Sequence, residues 1–130
     1  MTKSYGNPIL VAVDDMFFAA RIRTTAEAIG RPIAMVKSSA DLLQQAESIF
    51  PSLIILDLNS ERLDPISSIK ELKSRAGTSG TPILGFLSHV QTGLKKEAED
   101  AGCDTVMPRS AFTQRLSDLL AASSSPSRGS

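Results

Sequence analysis

The sequence predicts an α/β domain built around a parallel sheet, and three observations support this prediction. Short, wholly apolar runs such as ILVAV at 9–13 and LIIL at 53–56 contain no polar alternation. Runs of this kind are typical of parallel strands, which are covered on both faces. Apolar residues at helical spacing follow each run, and several runs end abruptly at an acidic or hydroxyl residue. Strands and helices therefore alternate along the chain.

The first half of the chain contains three predicted strands, at residues 9–13, 32–36 and 53–56. Two helical stripes lie between them, and their ends carry the expected signals. Gly30 is well placed to end the first helix, since glycine readily adopts the left-handed conformation found there. Ser38 and Ser39 are candidate N-caps for the second helix. Pro51 ends that helix, because proline cannot continue a helical hydrogen-bond pattern.

The second half contains two more predicted strands, at residues 82–87 and 103–107. Pro65 suits the first turn of the third helix, where its missing N–H is not needed. Gly102 ends a weaker fourth stripe. The last helix has a clear apolar stripe, formed by Phe112, Leu116, Leu119 and Leu120.

Five strands that alternate with five helices imply right-handed crossovers and a sheet covered on both faces. Among doubly wound arrangements, five strands best match the flavodoxin-like (βα)5 fold, with strand order 2-1-3-4-5. We expect one domain over residues 1–122. Residues 123–130 (SSSPSRGS) are polar and rich in Ser, Pro and Gly, so we expect a flexible tail there.

The composition excludes several classes of function. The 130 residues carry 14 basic and 14 acidic side chains, so broad electrostatic binding to nucleic acid or membranes is not expected. No apolar run approaches the roughly 18 residues of a membrane span, and no secretory signal is visible at the N-terminus. Cys103 is the only cysteine and His89 the only histidine. A structural zinc site is therefore nearly excluded, and a reducing, cytoplasmic location is expected.

Polar side chains follow the predicted strands at the edge of the sheet where ligands usually bind. Asp14 and Asp15 follow strand one, Asp57 follows strand three, Ser88 follows strand four, and Arg109 lies just after strand five. Two carboxylates about 4 Å apart repel by about 4 kcal/mol at an effective dielectric constant near 20. Such a cluster needs a cation, and hard oxygen ligands favour Mg²⁺.

A carboxylate in this setting can attack phosphorus and form an acyl phosphate, provided that cations neutralise the phosphoryl oxygens. Asp57 lies at the middle of the predicted cluster. The hydroxyl group of Ser88 and the guanidinium group of Arg109 are candidates for binding the phosphoryl oxygens. Together these residues predict a switch that accepts a phosphoryl group.

With these motifs in place, the chain resembles the receiver domain of two-component response regulators over about residues 8–122. The resemblance is carried by the acidic pair after ILVAV, by Asp57 after LIIL and by Ser88 after the fourth strand. The sequence AGCD at 101–104 is similar to the turn that precedes the fifth strand in that family. The acidic pair, Asp57 and Ser88 occur in the family's order, each at a strand end.

The resemblance implies a role for each matching residue. Asp57 is the implied phosphoacceptor, and Asp14 and Asp15 are implied metal-binding acids. Asn59 stands where a backbone carbonyl completes the Mg²⁺ site, and Ser88 stands where a hydroxyl group moves toward the phosphoryl group. The implied partner is a histidine kinase or phosphotransfer protein, and the domain is not itself an enzyme beyond slow self-dephosphorylation.

Several positions depart from the family pattern. Arg109 and Ser110 occupy the positions of a Lys-Pro pair, and a planar guanidinium is not equivalent to an ammonium group. Val106 replaces the aromatic residue that often changes rotamer with the hydroxyl residue, and His89 stands where small residues are usual. Pro65 restricts the loop after Asp57. The chain therefore resembles an atypical receiver.

Some interpretations stay open at the level of single residues. Asp14 and Asp15 are also suited to capping the first helix. A different alignment pairs Met107 and Pro108 with the family's Lys-Pro, which would remove the cation, although the spacing from Gly102 disfavours it.

At the level of the whole domain, the alternative function is a pseudo-receiver, an interaction module that no longer responds to phosphorylation. A phosphatase or flavin protein on the same fold is a distant third, since Asn59 stands where a second phosphatase acid would be expected. Binding to DNA is not expected. The leucine residues of the last helix are compatible with a monomer or a weak homodimer.

Overall fold

The computed structural model describes residues 7–122, so the predicted tail at 123–130 lies outside the described residues. The strands are β1 (Ile9–Ala12), β2 (Ile33–Val36), β3 (Leu53–Asp57), β4 (Ile83–Leu87) and β5 (Thr105–Pro108). The helices are α1 (Met16–Ala28), α2 (Ser39–Ile49), α3 (Pro65–Ser74), α4 (Thr92–Ala101), α5 (Arg109–Gln114) and α6 (Leu116–Ala122).

The five strands form one parallel sheet in the order β2-β1-β3-β4-β5. This confirms the predicted flavodoxin-like fold and its strand order. The register pairs Ala12 with Leu56 and Asp57 with Phe86. The carboxyl ends of β1, β3 and β4 therefore lie side by side, and the polar residues that follow them start from neighbouring points.

Each face of the sheet carries its own apolar core. One core packs beneath α2, α3 and α4 and includes Leu42, Leu56, Leu72 and Ala98. The other packs beneath α1, α5 and α6 and includes Ile22, Ile55, Phe86 and Phe112. Because β1, β3 and β4 are buried along their whole length, their apolar runs needed no polar alternation.

Some helices and strands begin or end a few residues away from their predicted positions, because residues that were predicted as helix or strand lie in turns. Helix α1 ends at Ala28, and Gly30 follows with a φ of 74°. Strand β5 begins at Thr105 and not at Cys103, because the N–H of Cys103 donates to Ala98 O across the end of α4. An apolar residue in a helix-terminal turn was thus assigned to the strand.

The final apolar stripe forms two short helices, so the described residues contain six helices and the prediction of five was wrong. The break lies at Arg115, whose N–H donates to Ala111 O and Thr113 O. Neither glycine nor proline marks this position, so no sequence signal announced the break. The buried face was predicted correctly, since Phe112, Leu116 and Leu120 all lie in the core.

Polar residues at the amino ends of the strands, which we call the amino edge, are closely paired. The Lys73 ammonium group donates to Asp104 Oδ2 at 2.9 Å and to Thr81 O at 3.0 Å. Asp104 Oδ2 also accepts from the N–H of Ile83 at 2.8 Å. These bonds join the end of α3 to the starts of β4 and β5. No helix within residues 7–122 is long and apolar enough to cross a membrane.

Candidate functional site

Asp57 is the last residue of β3, and its side chain is almost enclosed. The residue is 7% exposed, and Asp57 Oδ1 accepts one hydrogen bond, from the N–H of Asn59 at 2.9 Å. No ion pair to Asp57 occurs within the described residues. Burial raises the pKa of the Asp57 carboxyl, and the negative charges of Asp14 and Asp15 raise it further. The bond from Asn59 and the charge of Arg109 lower the pKa in part.

The position of Asp57 depends on the packing of the next residue, Leu58. The N–H of Leu58 donates to Phe86 O at 3.0 Å, which extends the pairing of β3 with β4. A Cβ atom on Gly85 would lie only 2.8 Å from the Leu58 side chain. Glycine at position 85 therefore gives Leu58 the space that holds the end of β3 in place.

Asp14 follows β1 and is bound loosely from the loop between β3 and α3. Its Oδ2 accepts from the hydroxyl group of Ser60, and its Oδ1 accepts from Nη1 of Arg62, both at 3.5 Å. The Arg62 side chain is 64% exposed, so the ion pair is weak. Asp14 is thus available to exchange these partners.

Asp15 caps helix α1 and also faces Arg109. Asp15 Oδ1 accepts from the N–H groups of Phe17 at 2.9 Å and Phe18 at 3.1 Å. Asp15 Oδ2 lies 3.4 Å from Nη1 of Arg109. The hydrogen bond from Phe18 is the main cause that lowers the pKa of Asp15. The capping interpretation is confirmed for Asp15, and the cap uses only one of the two carboxylate oxygens.

Arg109 lies on a cluster of three phenylalanine rings, which we call the aromatic cluster: Phe18 from α1, Phe86 from β4 and Phe112 from α5. The Phe86 and Phe112 rings stack at 5.0 Å, and Phe18 meets the Phe86 ring edge to face at 5.2 Å. The guanidinium carbon of Arg109 lies 4.3 Å from the centre of the Phe18 ring. Its Nε is buried without a hydrogen-bond acceptor. The rings therefore hold the guanidinium beside the acids by cation–π attraction.

Arg109, and not Met107, is the cation of this edge. Met107 is buried in the core beneath α1, α5 and α6, whereas Arg109 is the first residue of α5 and reaches Asp15. The structure therefore favours the alignment that places Arg109 at the lysine position. The contact of Arg109 with Phe18 was not predicted, because it joins the start of α5 to the first turn of α1.

The loops after β3 and β4 are joined by the side chain of Asn59. Asn59 Oδ1 accepts from the N–H of Ser88 at 2.7 Å, and Ser88 itself is exposed. This bond was not predicted, since only the backbone carbonyl of Asn59 was expected to have a role. The side chain of Asn59 therefore fixes the position from which the Ser88 hydroxyl group faces solvent.

The predicted residues come together only in part. Asp14 and Asp15 lie near enough to Asp57 to raise its pKa. As the side chains stand, no group of three or more His, Cys, Asp or Glu residues within 7–122 is spaced to hold a metal ion. The expected cluster of three carboxylates is not formed as the side chains stand, because Asp15 caps α1 and Asp14 contacts Arg62. The donor chemistry nevertheless fits Mg²⁺, since Asp57 is buried, has two further carboxylates near enough to raise its pKa and forms no ion pair within the described residues.

Cys103 and His89, the only cysteine and histidine, form no hydrogen bond or ion pair with the acidic residues of this site within the described residues. Cys103 is buried, and burial raises the pKa of its thiol to about 11, so the thiolate form needed for metal binding is disfavoured. His89 is exposed beside Ser88. Its side chain contributes no hydrogen bond or ion pair within the described residues.

Comparison with known proteins identifies similar chains in both sequence and structure. No protein-family model matches this chain. A protein-glutamate methylesterase/protein-glutamine glutaminase from Pseudoalteromonas translucida is 30% identical over 105 residues, which cover 78% of this chain and 26% of that protein. This chain thus spans about a quarter of the length of the curated relatives it matches.

Solved structures match over nearly the whole chain. A response regulator from Hahella chejuensis superposes with a TM-score of 0.84 at 20% identity, over 95% of this chain and 99% of that one. The receiver domain of a sensor histidine kinase from Pseudomonas aeruginosa, with magnesium in its active site cleft, gives a TM-score of 0.74 at 18% identity over 89% and 98% of the two chains. The chain therefore has the fold of a response regulator receiver domain.

Proposed function

We propose that this chain is a receiver domain that accepts a phosphoryl group on Asp57 in a Mg²⁺-dependent reaction and thereby changes its contacts with other proteins. The donor would be a histidine kinase or phosphotransfer protein of the cytoplasm, and the domain would act as a monomer or weak homodimer. One observation carries the proposal. Asp57 is 7% exposed, has two further acids nearby and forms no ion pair within residues 7–122. A buried carboxylate that two neighbouring acids repel, and that Arg109 offsets only in part, favours the binding of a further cation.

The residues that would hold Mg²⁺ are Asp14, Asp15, Asp57 and the backbone carbonyl of Asn59. Asp15 Oδ2 is suited to this role because its Oδ1 alone maintains the cap of α1. Asp14 would exchange its 3.5 Å contact with Arg62 for the metal. A bound divalent ion would supply charge neutralisation for the phosphoryl oxygens.

In the proposed reaction, an oxygen of the Asp57 carboxylate attacks the phosphorus atom of a phosphohistidine. A P–O bond forms, the P–N bond breaks, and the leaving imidazole takes a proton from solvent. The product is an acyl phosphate with two negative charges near neutral pH. Arg109 would leave Asp15 Oδ2 and bind the phosphoryl oxygens, and the Ser88 hydroxyl group would turn toward them.

Arg109 also provides a route from the acceptor to the surface. It is the first residue of α5, so a displacement of its side chain acts directly on the start of that helix. Phe112 of α5 stacks on Phe86, which pairs with Asp57 in the register of β3 and β4. If a partner bound the shifted form of α5 and α6 more tightly by about 1–3 kcal/mol, which is the usual size of such couplings, phosphorylation would change partner binding.

Incubation with acetyl phosphate and Mg²⁺, followed by intact mass measurement, tests the proposal. We expect one added phosphoryl group in the wild-type protein and none in Asp57→Asn. Asp64→Asn is a matched control, since Asp64 is an exposed acid in the same loop and should leave the modification intact. A protein that gains no phosphoryl mass, or gains it equally in Asp57→Asn, would contradict the proposal.

A phosphorylation-independent pseudo-receiver is the second candidate, and a specific observation favours it. Arg109 already has partners in Asp15 and the aromatic cluster, and the acids are not spaced to hold a metal as they stand. This candidate predicts that beryllofluoride with Mg²⁺ leaves the amide NMR shifts of Ser88 and α5 unchanged. Large shifts there in the wild type, absent in Asp57→Asn, would exclude it.

A further inference from the structure

A cavity, which we call the basic groove, lies near the carboxyl edge of the sheet. Its volume is about 570 Å³, and it is formed by α1, the end of β2 and the start of α2. Val13, Met35 and Val36 provide an apolar floor, while Arg23, Lys37 and Arg62 stand at the rim. Cavities that bind small organic molecules have volumes of about 300–1,000 Å³, with mostly apolar walls and a few polar groups. The basic groove has this size and this division of surfaces.

Two of the three cations that line the groove have no ion-pair partner among the described residues, and the third, Arg62, has only its 3.5 Å contact with Asp14. Among the described residues, neither Arg23 nor Lys37 forms an ion pair, and Asp41 is the one acid that lines the cavity. Arg23 and Lys37 therefore leave the groove with more positive than negative charge. The excess of positive charge favours an anionic occupant.

The number of cations and the apolar floor together indicate which kind of anion the groove can bind. Three cations around one cavity suit a single anionic headgroup, and they are too few for a nucleic acid backbone, whose binding takes many phosphate contacts. The apolar floor adds a surface for a hydrocarbon or ring system of modest size. An inorganic anion would leave that floor exposed to water and would not use it.

We propose that the basic groove binds a small amphiphilic anion, with its charged headgroup on Arg23 and Lys37 and its apolar body on Met35 and Val13. Arg62 links this site to the acidic edge, because the same guanidinium group contacts Asp14 at 3.5 Å. An anion that draws Arg62 into the groove would release Asp14. Binding in the groove does not depend on phosphorylation of Asp57, so the two proposals can fail separately.

The test uses two fluorescent probes of the same ring system. The anionic probe is 8-anilinonaphthalene-1-sulfonate, and its neutral counterpart is N-phenyl-1-naphthylamine. Titration into 15N-labelled protein, followed by amide NMR and fluorescence, reports both affinity and location. The variants are Arg23→Ser and Lys37→Ser. Arg21→Ser is the matched control, since Arg21 is exposed on the same helix but does not line the groove.

We expect saturable binding of the anionic probe, with amide shifts at Met35, Lys37 and the α1 residues that line the groove. Each groove variant should weaken this binding by about five-fold, while the control changes it by less than about two-fold, as charge-assisted contacts predict. The neutral probe should bind at least about ten-fold more weakly. Equal binding of both probes, shifts centred on exposed Phe17 or Val90, or no effect of the two groove variants would overturn the proposal.

Discussion

The two edges of the sheet differ in how closely their charged residues are paired. At the amino edge, Lys73 and Asp104 meet at 2.9 Å, and Asp104 also accepts from the backbone of Ile83 at 2.8 Å. At the carboxyl edge, Asp14 and Asp15 contact their arginine partners at 3.4–3.5 Å, and Asp57 has no ion pair within the described residues. An ion pair at 2.9 Å is held more firmly than ion pairs at 3.4–3.5 Å, which are easily exchanged. The ion pair at the amino edge therefore helps to hold the sheet together, whereas the ion pairs at the carboxyl edge are free to exchange partners.

The largest expected effect is the loss of the amino-edge pairing. Asp104→Ala removes the partner of Lys73 and the acceptor for the Ile83 N–H, so we expect the free energy of unfolding to fall by about 2 kcal/mol. Urea denaturation followed by circular dichroism measures it. The control is Asp100→Ala, which removes an exposed ion pair with Lys96 and should cost less than about 0.5 kcal/mol. If both variants lost the same free energy of unfolding, the amino-edge pairing would be no stronger than an ordinary surface ion pair.

Mg²⁺ is expected to have the next largest effect, and it acts at the carboxyl edge alone. At ten times its dissociation constant, a ligand that binds only the folded state adds about 1.4 kcal/mol to the free energy of unfolding. We expect this gain in wild type and in Asp104→Ala, but not in Asp57→Asn. Thermal unfolding with and without MgCl₂ measures it. A gain of the same size in Asp57→Asn would place the metal elsewhere.

Asp57→Asn without metal should stabilise the protein, the opposite of what Asp104→Ala does. The amide keeps the acceptor for the Asn59 N–H but removes a buried charge that two neighbouring acids repel. We expect the free energy of unfolding at pH 7 to rise, because the variant no longer carries a desolvated charge at this buried position. Urea denaturation in the presence of a chelator measures this gain. A loss of stability would show that the carboxylate is already compensated.

The smallest expected effect is a pH dependence that separates the two edges. The raised pKa of Asp57 means that its charge penalty is present above that pKa and is relieved as pH falls through it. The lowered pKa of Asp104 means that its stabilisation is present above its unfolded value and is lost as pH falls through its folded pKa. The stability gap between Asp57→Asn and wild type should therefore narrow first on acidification. Denaturation midpoints between pH 7 and pH 4 measure the gap.

The sequence predicted the fold because burial on both faces leaves a direct pattern of uninterrupted apolar runs. It also predicted which polar residues reach the carboxyl edge, since parallel strands end together. It could not predict that Asp15 would cap α1 with one oxygen or that Asn59 would bond to Ser88, because those choices depend on contacts between separate loops. The break at Arg115 was not predicted either, because no glycine or proline marks it in the sequence.

The aromatic cluster has a consequence for how the protein can be observed. The chain contains no tryptophan and five phenylalanines, of which Phe18, Phe86 and Phe112 form the aromatic cluster. The Arg109 guanidinium lies over the Phe18 and Phe86 rings. Incorporation of fluorinated phenylalanine would therefore place two ¹⁹F resonances beneath the guanidinium group and a third on the ring stacked against Phe86. Phe17 and Phe50, both exposed, would serve as internal references in the same spectrum.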